Sequence, residues 1–476
     1  MNKKNLILLC VIIVIAIGAR LYKLNIPLAD FHSWRQADTM AVARNFSRDG
    51  INLLRPKFDD LSNIQSGIYN LNGYRMVEFP VYNALVTTLS NLTNLQHHIS
   101  GRLISILFSV ATLAVIFYLL ISEIGIIAAF WGGLFFALNP YNVFYSRTTL
   151  PDNTAIGFAF LSIGVLYYWY KNQKNCPCFL TSGVLFALAI LVKPTTIFWG
   201  IPLFYLFLFK YRKNILKKWQ FYLFWIISIV PLFWWRDYIK QFPEGTPASS
   251  WLFTSVNTGG MLMNIFFRPA FFRWIFIERI TNLISGGANI AIIFIGFLQK
   301  TSTYILQVIV FSTLLYLFIF QGGNVQHDYY QILIFPTLAI LFGAGASAIV
   351  NSSITKSKFL SYIVIFVIFC FGTYNSWSLM KSHYDTNGGL ITAAKILSTI
   401  TPNDALIATD TVGDTTLLYL ANRKGFPAIT DDSLGLKSKG ISYITASTPS
   451  EKKKNDGDKN LKKIFDNEQI AVYQIL

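Results

Sequence analysis

The sequence predicts a multi-pass α-helical membrane protein with about eleven transmembrane helices, interfacial helices in its first outer loop and a small C-terminal α/β domain outside the membrane. Three observations predict it. Of 476 residues, 53% are hydrophobic and only 13% charged, against about 25% charged in soluble domains. Apolar runs near the roughly 20 residues that cross a hydrocarbon core recur along the chain. The last hundred or so residues abandon that pattern for short helix- and strand-like segments. A soluble globular chain, a disordered chain and a coiled coil are excluded by the same composition.

The candidate spans are roughly 5–22, 101–121, 124–140, 152–170, 179–193, 195–209, 221–235, 282–298, 302–320, 331–350 and 359–379. The first opens on Asn2-Lys3-Lys4 and lacks a small-residue cleavage site, so it reads as an uncleaved helix. The pair around Lys193-Pro194 reads as a helical hairpin with its tip at the outer surface. Lys and Arg gather in cytoplasmic loops. With the N-terminus inside, the inner segments hold twelve basic residues and one acid, Glu123, whereas the short outer turns at 141–151 and 321–328 hold only Arg147 as a basic residue. The formal net charge of +17, from 40 Lys and Arg against 23 Asp and Glu, is then mainly a topology signal and not a nucleic-acid footprint. The expected location is the plasma (inner) membrane, with the C-terminal domain extracytoplasmic.

The first outer loop, 23–100, contains amphipathic stretches at Ser33–Phe46 and Pro80–Leu95, expected to lie in the interface plane. A second outer loop covers 236–281 and ends in the aromatic and basic run from Arg268 to Arg279. Residues 1–380 form the membrane domain and 381–476 the tail domain. In the tail a helix is expected at 390–400, strands at Ala405–Asp410, Ile441–Ala446 and Ile470–Ile475, a helix at Thr415–Asn422, and a solvated charged loop at Glu451–Lys463. The four cysteines form no disulfide framework or zinc pattern and are expected to be reduced.

Ionisable groups carry the functional information, because a charge in hydrocarbon costs several kcal/mol. In this threading 22 of the 23 acids lie outside or at the outer boundary. A secondary transporter would place ionisable groups near the midplane, so the distribution points to chemistry at the outer surface and against a lipid-linked sugar flippase. The densest cluster is Asp30-Phe-His32-Ser-Trp34-Arg35-Gln36-Ala-Asp38-Thr39, where Arg35, Asp38 and Thr39 share a helical face. It reads either as an interfacial helix with a capping Asp30 and an Arg35/Asp38 ion pair, or as a carboxylate general base kept ionised by arginine. Asp152, after Pro151, is either an ordinary helix-start acid or a second functional carboxylate. Glu78 opens the second interfacial stretch, Lys193 ends a span, and His327, Tyr329 and Tyr330 precede the tenth. Each has an ordinary structural reading, yet together they would converge on one outer rim.

In their order these features resemble the membrane-embedded glycosyltransferases of the GT-C fold, in the branch of protein O-mannosyltransferases and the lipid A aminoarabinose transferase (glycosyltransferase family 39). The resemblance covers roughly 1–380. It rests on an acid after the first span, Ala43-Arg44, Glu78-Phe-Pro80, Leu150-Pro-Asp152, Leu191-Val-Lys193-Pro194, the Ile-Glu-Arg-Ile that ends the aromatic loop, and Tyr329 before the Pro336 span. It implies a donor sugar on a polyprenyl phosphate and an acceptor glycan, lipid or protein at the outer face of the bilayer. Asp38 or Asp30 would act as base, since Arg35-Gln36 stand where the family has its Asp-Glu pair, and Asp152 matches the second family acid. Lys193, Arg279 and Tyr329, with Arg35 and Tyr330, would hold the lipid phosphate. Glu78, His327 and His32 are candidates for substrate or a divalent metal; Glu78 matches a metal position of the aminoarabinose transferase, and Arg279 replaces its histidine partner. No other cofactor is implied. One-step displacement predicts inversion without a second carboxylate to protonate the phosphate leaving group, unlike glycoside hydrolysis. An alternative reading is a glycan polymerase or ligase using a polyprenyl-diphosphate donor.

Overall fold

The computed structural model describes residues 2–172, 177–247, 268–299, 301, 303–352 and 357–476. It resolves into two compact units, one of Met1–Leu24, Arg102–Arg236 and Ser250–Ser382, the other of Asn25–Gly101, Asp237–Ser249 and His383–Leu476. In this division the first outer loop belongs to the same unit as the tail.

Helix occupies all eleven expected spans, at least in part. Among the described residues, two helical runs are long and apolar enough to cross a membrane, His97–Glu123 and Lys358–Ile400. A third is added if Pro194–Lys217 and Trp219–Gln241, bent by 108° at their junction, count as one. Four further apolar helices are shorter: Ile126–Leu138, Cys178–Val192, Ile305–Ile319 and Phe335–Val350. Their ends follow from the sequence. Asn139 accepts from the Asn142 N–H and Pro140 takes the first position of the next helix, so Ile126–Leu138 stops there. Lys193, which precedes a proline, is forced into extended backbone and ends Cys178–Val192. The expected span 282–298 is divided: a π-helix covers Arg273–Ile284 and an α-helix Asn289–Phe297.

Small residues bring the helices of the first unit together, as expected where lipid is as apolar as leucine. On Gly345 a Cβ would stand 1.9 Å from the Ile292 carbonyl oxygen, and on Gly296 the same distance from that of Leu341, so Phe335–Val350 and Asn289–Phe297 touch backbone to backbone. Three buried arginines hold the end of the first helix and the chain beyond it. Arg20 donates to Ala16 and Ala137, Arg147 to Lys23 and Arg102 to Leu24, all at carbonyl oxygens. Cys178 is disulfide-bonded, contrary to the expectation that all four cysteines are reduced, whereas Cys10 and Cys370 are free.

In the second unit five strands, β1 (Leu406–Ala408), β2 (Lys424–Phe426), β3 (Ile441–Ala446), β4 (Leu461–Asp466) and β5 (Ala471–Ile475), form one sheet of order β2-β1-β3-β5-β4. The first three are parallel; β5 runs antiparallel to both β3 and β4. Helices fill the crossovers, as parallel pairing requires. The expected charged loop at Glu451–Lys463 is instead the helix Pro449–Asp456 and the start of β4. Its lysines read as solvent, but an edge strand tolerates them, and Lys463 and Lys452 pair with Asp456 and Asp466. The first loop joins this sheet at β2, where Leu61 N–H donates to the Gly425 carbonyl and Gly425 N–H to that of Asp59. Leu61 then enters the core with Ala408, Phe426 and Ile444.

The helix Ser33–Asp49 departs from its expected interfacial role, because eleven of its 17 residues are buried on nearly all sides. Helix Val81–Thr93 packs on it through Thr87, whose hydroxyl donates to the Ala43 carbonyl. The tail helix Thr416–Ala421 is held on it by Arg44, which donates to the Tyr419 carbonyl with its guanidinium 4.7 Å from the Tyr419 ring.

Candidate active site

In the first unit, three elements bring charge and aromatic rings to one place. Asp152 is the first residue of the helix Asp152–Asn172. Lys193, turned by the extended backbone before Pro194, places its Nζ 3.2 Å from an Asp152 carboxylate oxygen, and both side chains are more than nine-tenths buried. The ammonium also stands over the rings of Tyr330 and Tyr329, at 5.3 and 5.9 Å from their centroids, where the ring quadrupole attracts a cation. Both tyrosines belong to a 3-10 turn, Asp328–Leu333, in which their rings and that of His327 stack. Tyr141 fixes the turn by donating to the Asp328 carbonyl at 2.6 Å. Asp328, which opens it, pairs at 3.7 Å with Arg279 on the π-helix. The structure thus assembles the expected Asp152, Lys193, Arg279, Tyr329, Tyr330 and His327, and adds Asp328. Each of the two cations has a buried carboxylate partner.

In the second unit, Asp38 is buried and both of its carboxylate oxygens are engaged. Arg75 reaches one at 3.1 Å and the Thr415 hydroxyl donates to the other at 2.7 Å. Arg35 pairs with Glu78. Each member of the expected Arg35/Asp38 pair is therefore bound by a residue from outside its helix. Asp30 accepts from the Gln36 amide at 2.8 Å and so ties down the turn that enters the helix. The N-cap is His32, in left-handed backbone and without a side-chain cap, its ring against Phe31; the expected capping by Asp30 gives way to its side-chain bond with Gln36.

Arg75 is itself held by Gln65 and by the face of Phe58. Gln65 also donates to Asp60 at 3.4 Å. Burial pushes the Asp60 carboxyl up to about 6, against hydrogen bonds from the Ser62 N–H and hydroxyl that favour its charged form. Arg75, Asp60 and Thr415 escape sequence reasoning, because nothing in a 377-residue separation links Thr415 to Asp38. Arg35, expected among the phosphate ligands, instead neutralises Glu78. The position matching the aminoarabinose transferase metal does not fit one in this chain: the Glu78 carboxylate is occupied by a guanidinium, and among the described residues no three His, Cys, Asp or Glu are grouped to hold an ion.

Comparison with known proteins agrees with this architecture. Residues 78–235, a segment that includes Glu78, Asp152 and Lys193, match the family model described as dolichyl-phosphate-mannose-protein mannosyltransferase. No curated protein matches in sequence. Among solved structures, ArnT from Cupriavidus metallidurans bound to undecaprenyl phosphate is similar with a TM-score of 0.64 at 12% identity, over 98% of this chain and 97% of that one. The Archaeoglobus fulgidus oligosaccharyltransferase in its apo form gives 0.63 at 10% identity, over 94% and 70%. AglB from the same organism, in complex with an inhibitory peptide and a dolichol-phosphate, gives 0.59 at 12% identity, over 94% and 69%. The fold is that of the GT-C membrane proteins. Within that fold, residues 78–235 carry the likeness to the mannosyltransferase family model.

Proposed function

We propose that this chain is an inverting glycosyltransferase that moves a sugar from a polyprenyl phosphate to a hydroxyl or amine acceptor on the outer face of the plasma membrane. The N-terminus is then cytoplasmic and the tail extracytoplasmic, with the chain crossing about eleven times. The observation that carries the reading is the buried Lys193–Asp152 pair on the faces of Tyr329 and Tyr330, in a GT-C fold. Ammonium, guanidinium and phenol donors in a dehydrated setting suit a lipid phosphate, where charge-assisted bonds are strongest. Lys193, Arg279, Tyr329 and Tyr330 take that role, and the phosphate would compete with Asp152 and Asp328 for the two cations.

Asp38 is the proposed base, paired with Arg75 at 3.1 Å. It would take the proton of the acceptor as the acceptor attacks the anomeric carbon opposite the phosphate. Asp30 fixes the turn before the base helix, and Asp152 orients Lys193. The test is sugar transfer by the full chain from a panel of undecaprenyl phosphates carrying mannose, glucose or aminoarabinose, followed as undecaprenyl phosphate release. Wild type is compared with Asp38→Asn, Asp30→Asn and Asp152→Asn. Loss in Asp38→Asn is expected; full activity in all three would rule out a carboxylate mechanism.

A further inference from the structure

Among the described residues, the tail domain hydrogen-bonds Asp38 through the side chain of Thr415. Thr415 is the last residue of the loop between β1 and the helix Thr416–Ala421, it is buried, and its hydroxyl donates to Asp38 at 2.7 Å. The loop before it is firmly set. The Thr411 hydroxyl, with one proton to donate, lies 2.6 and 3.0 Å from the carbonyl oxygens of Asp414 and Pro427, while the Gly413 N–H donates to Pro427 at 2.8 Å. Val412 is held at a φ of +51°, a conformation that β-branched residues adopt only under constraint. The Asp414 carboxylate accepts from the Thr416 N–H, and the Thr416 hydroxyl donates to that of Ser33, the first residue of the helix that carries Asp38.

We infer that Thr415 is a positioning residue for Asp38, so that the tail domain is a working part of the reaction machinery. This rests on Asp38 as the base. A carboxylate oxygen accepts about two hydrogen bonds, so with Arg75 on one oxygen and Thr415 on the other, each keeps a lone pair for the acceptor while the rotamer is fixed from both sides. Removing the hydroxyl loosens the group and removes a donor to its charged form, which raises its affinity for a proton.

The experiment uses the full chain in lipid nanodiscs and the undecaprenyl phosphate sugar of the panel that wild type turns over. Turnover is measured against pH for wild type, Thr415→Val, Thr415→Ser, Thr416→Val and Asp38→Asn. Thr415→Val is expected to lower kcat roughly tenfold with KM little changed and to move the acid limb of the profile to higher pH. Thr415→Ser restores both, and Thr416→Val leaves the limb in place. The position of the limb does not depend on how much of a variant is folded, so misfolding cannot mimic the result. An unmoved limb in Thr415→Val beside an inactive Asp38→Asn overturns the positioning role alone. Wild-type rates in Asp38→Asn overturn the base assignment beneath it.

Discussion

The two ionic groups of this chain are built in opposite ways. In the first unit, Asp152 and Lys193 stand at the ends of helices and Asp328 and Tyr330 on a 3-10 turn, and among the described residues Lys193 and Arg279 each pair with an acid and stand over an aromatic ring. In the second, Asp38 draws its partners from a loop, through Arg75, and from the tail, through Thr415. The difference is one of chemistry as well as of origin. A cation on rings beside an exchangeable carboxylate suits capture and release of an anion, whereas a carboxylate held by one cation and one neutral hydroxyl suits repeated proton transfer.

The sharpest way to separate the groups is to remove their central members. Asp38→Asn is expected to lower kcat by about a thousandfold, within the range of lost general-base catalysis, with undecaprenyl phosphate affinity unchanged. Lys193→Met should do the reverse, weakening undecaprenyl phosphate binding roughly 30-fold or more, since it also leaves Asp152 buried without its cation. Binding titration and single-turnover rates on the same preparations check both. If Lys193→Met spared binding and lowered only turnover, the division of roles would break.

A smaller effect tests Arg35 and Glu78. Breaking a buried pair from one side leaves an uncompensated charge and costs about 3–5 kcal/mol, whereas removing both can be nearly neutral. Arg35→Met should therefore lower the unfolding temperature more than Arg35→Met/Glu78→Gln. In wild type a chelator should leave turnover unchanged, because the Glu78 carboxylate is occupied by Arg35.

The smallest expected effect concerns Asp60, whose carboxyl is raised by burial from 3.8 to about 6. Its protonated form contributes stability that is complete below the unfolded value and lost as pH rises through about 6. Asp60→Asn cannot titrate. Its unfolding temperature should thus gain on wild type as pH rises from 4 to 7, by at most about 3 kcal/mol in stability. A constant difference across that window would show that Asp60 is not buried as described.

The contrast also explains what could be read from the sequence. Asp152, Lys193 and Tyr329 were visible because proline, span ends and charge scarcity single them out in an apolar chain. Strand β3 was visible in its apolar run. The burial of Ser33–Asp49 was hidden, because the helix that covers it comes from the tail, and an amphipathic pattern looks the same against lipid and against protein. Strand β4 was hidden by Lys462 and Lys463, the second of which pairs with Asp456 on the preceding helix. Arg75 and Thr415 carry no local signal, because their roles exist only once distant segments are folded together.

The proposed reaction is a single displacement at the anomeric carbon by an acceptor that Asp38 deprotonates. Its most direct test is the anomeric configuration of the product formed by wild type from an undecaprenyl phosphate sugar of known configuration, read by NMR. Inversion is the expected result. Retention would require a covalent or two-step route and would contradict the assignment of Asp38 as base.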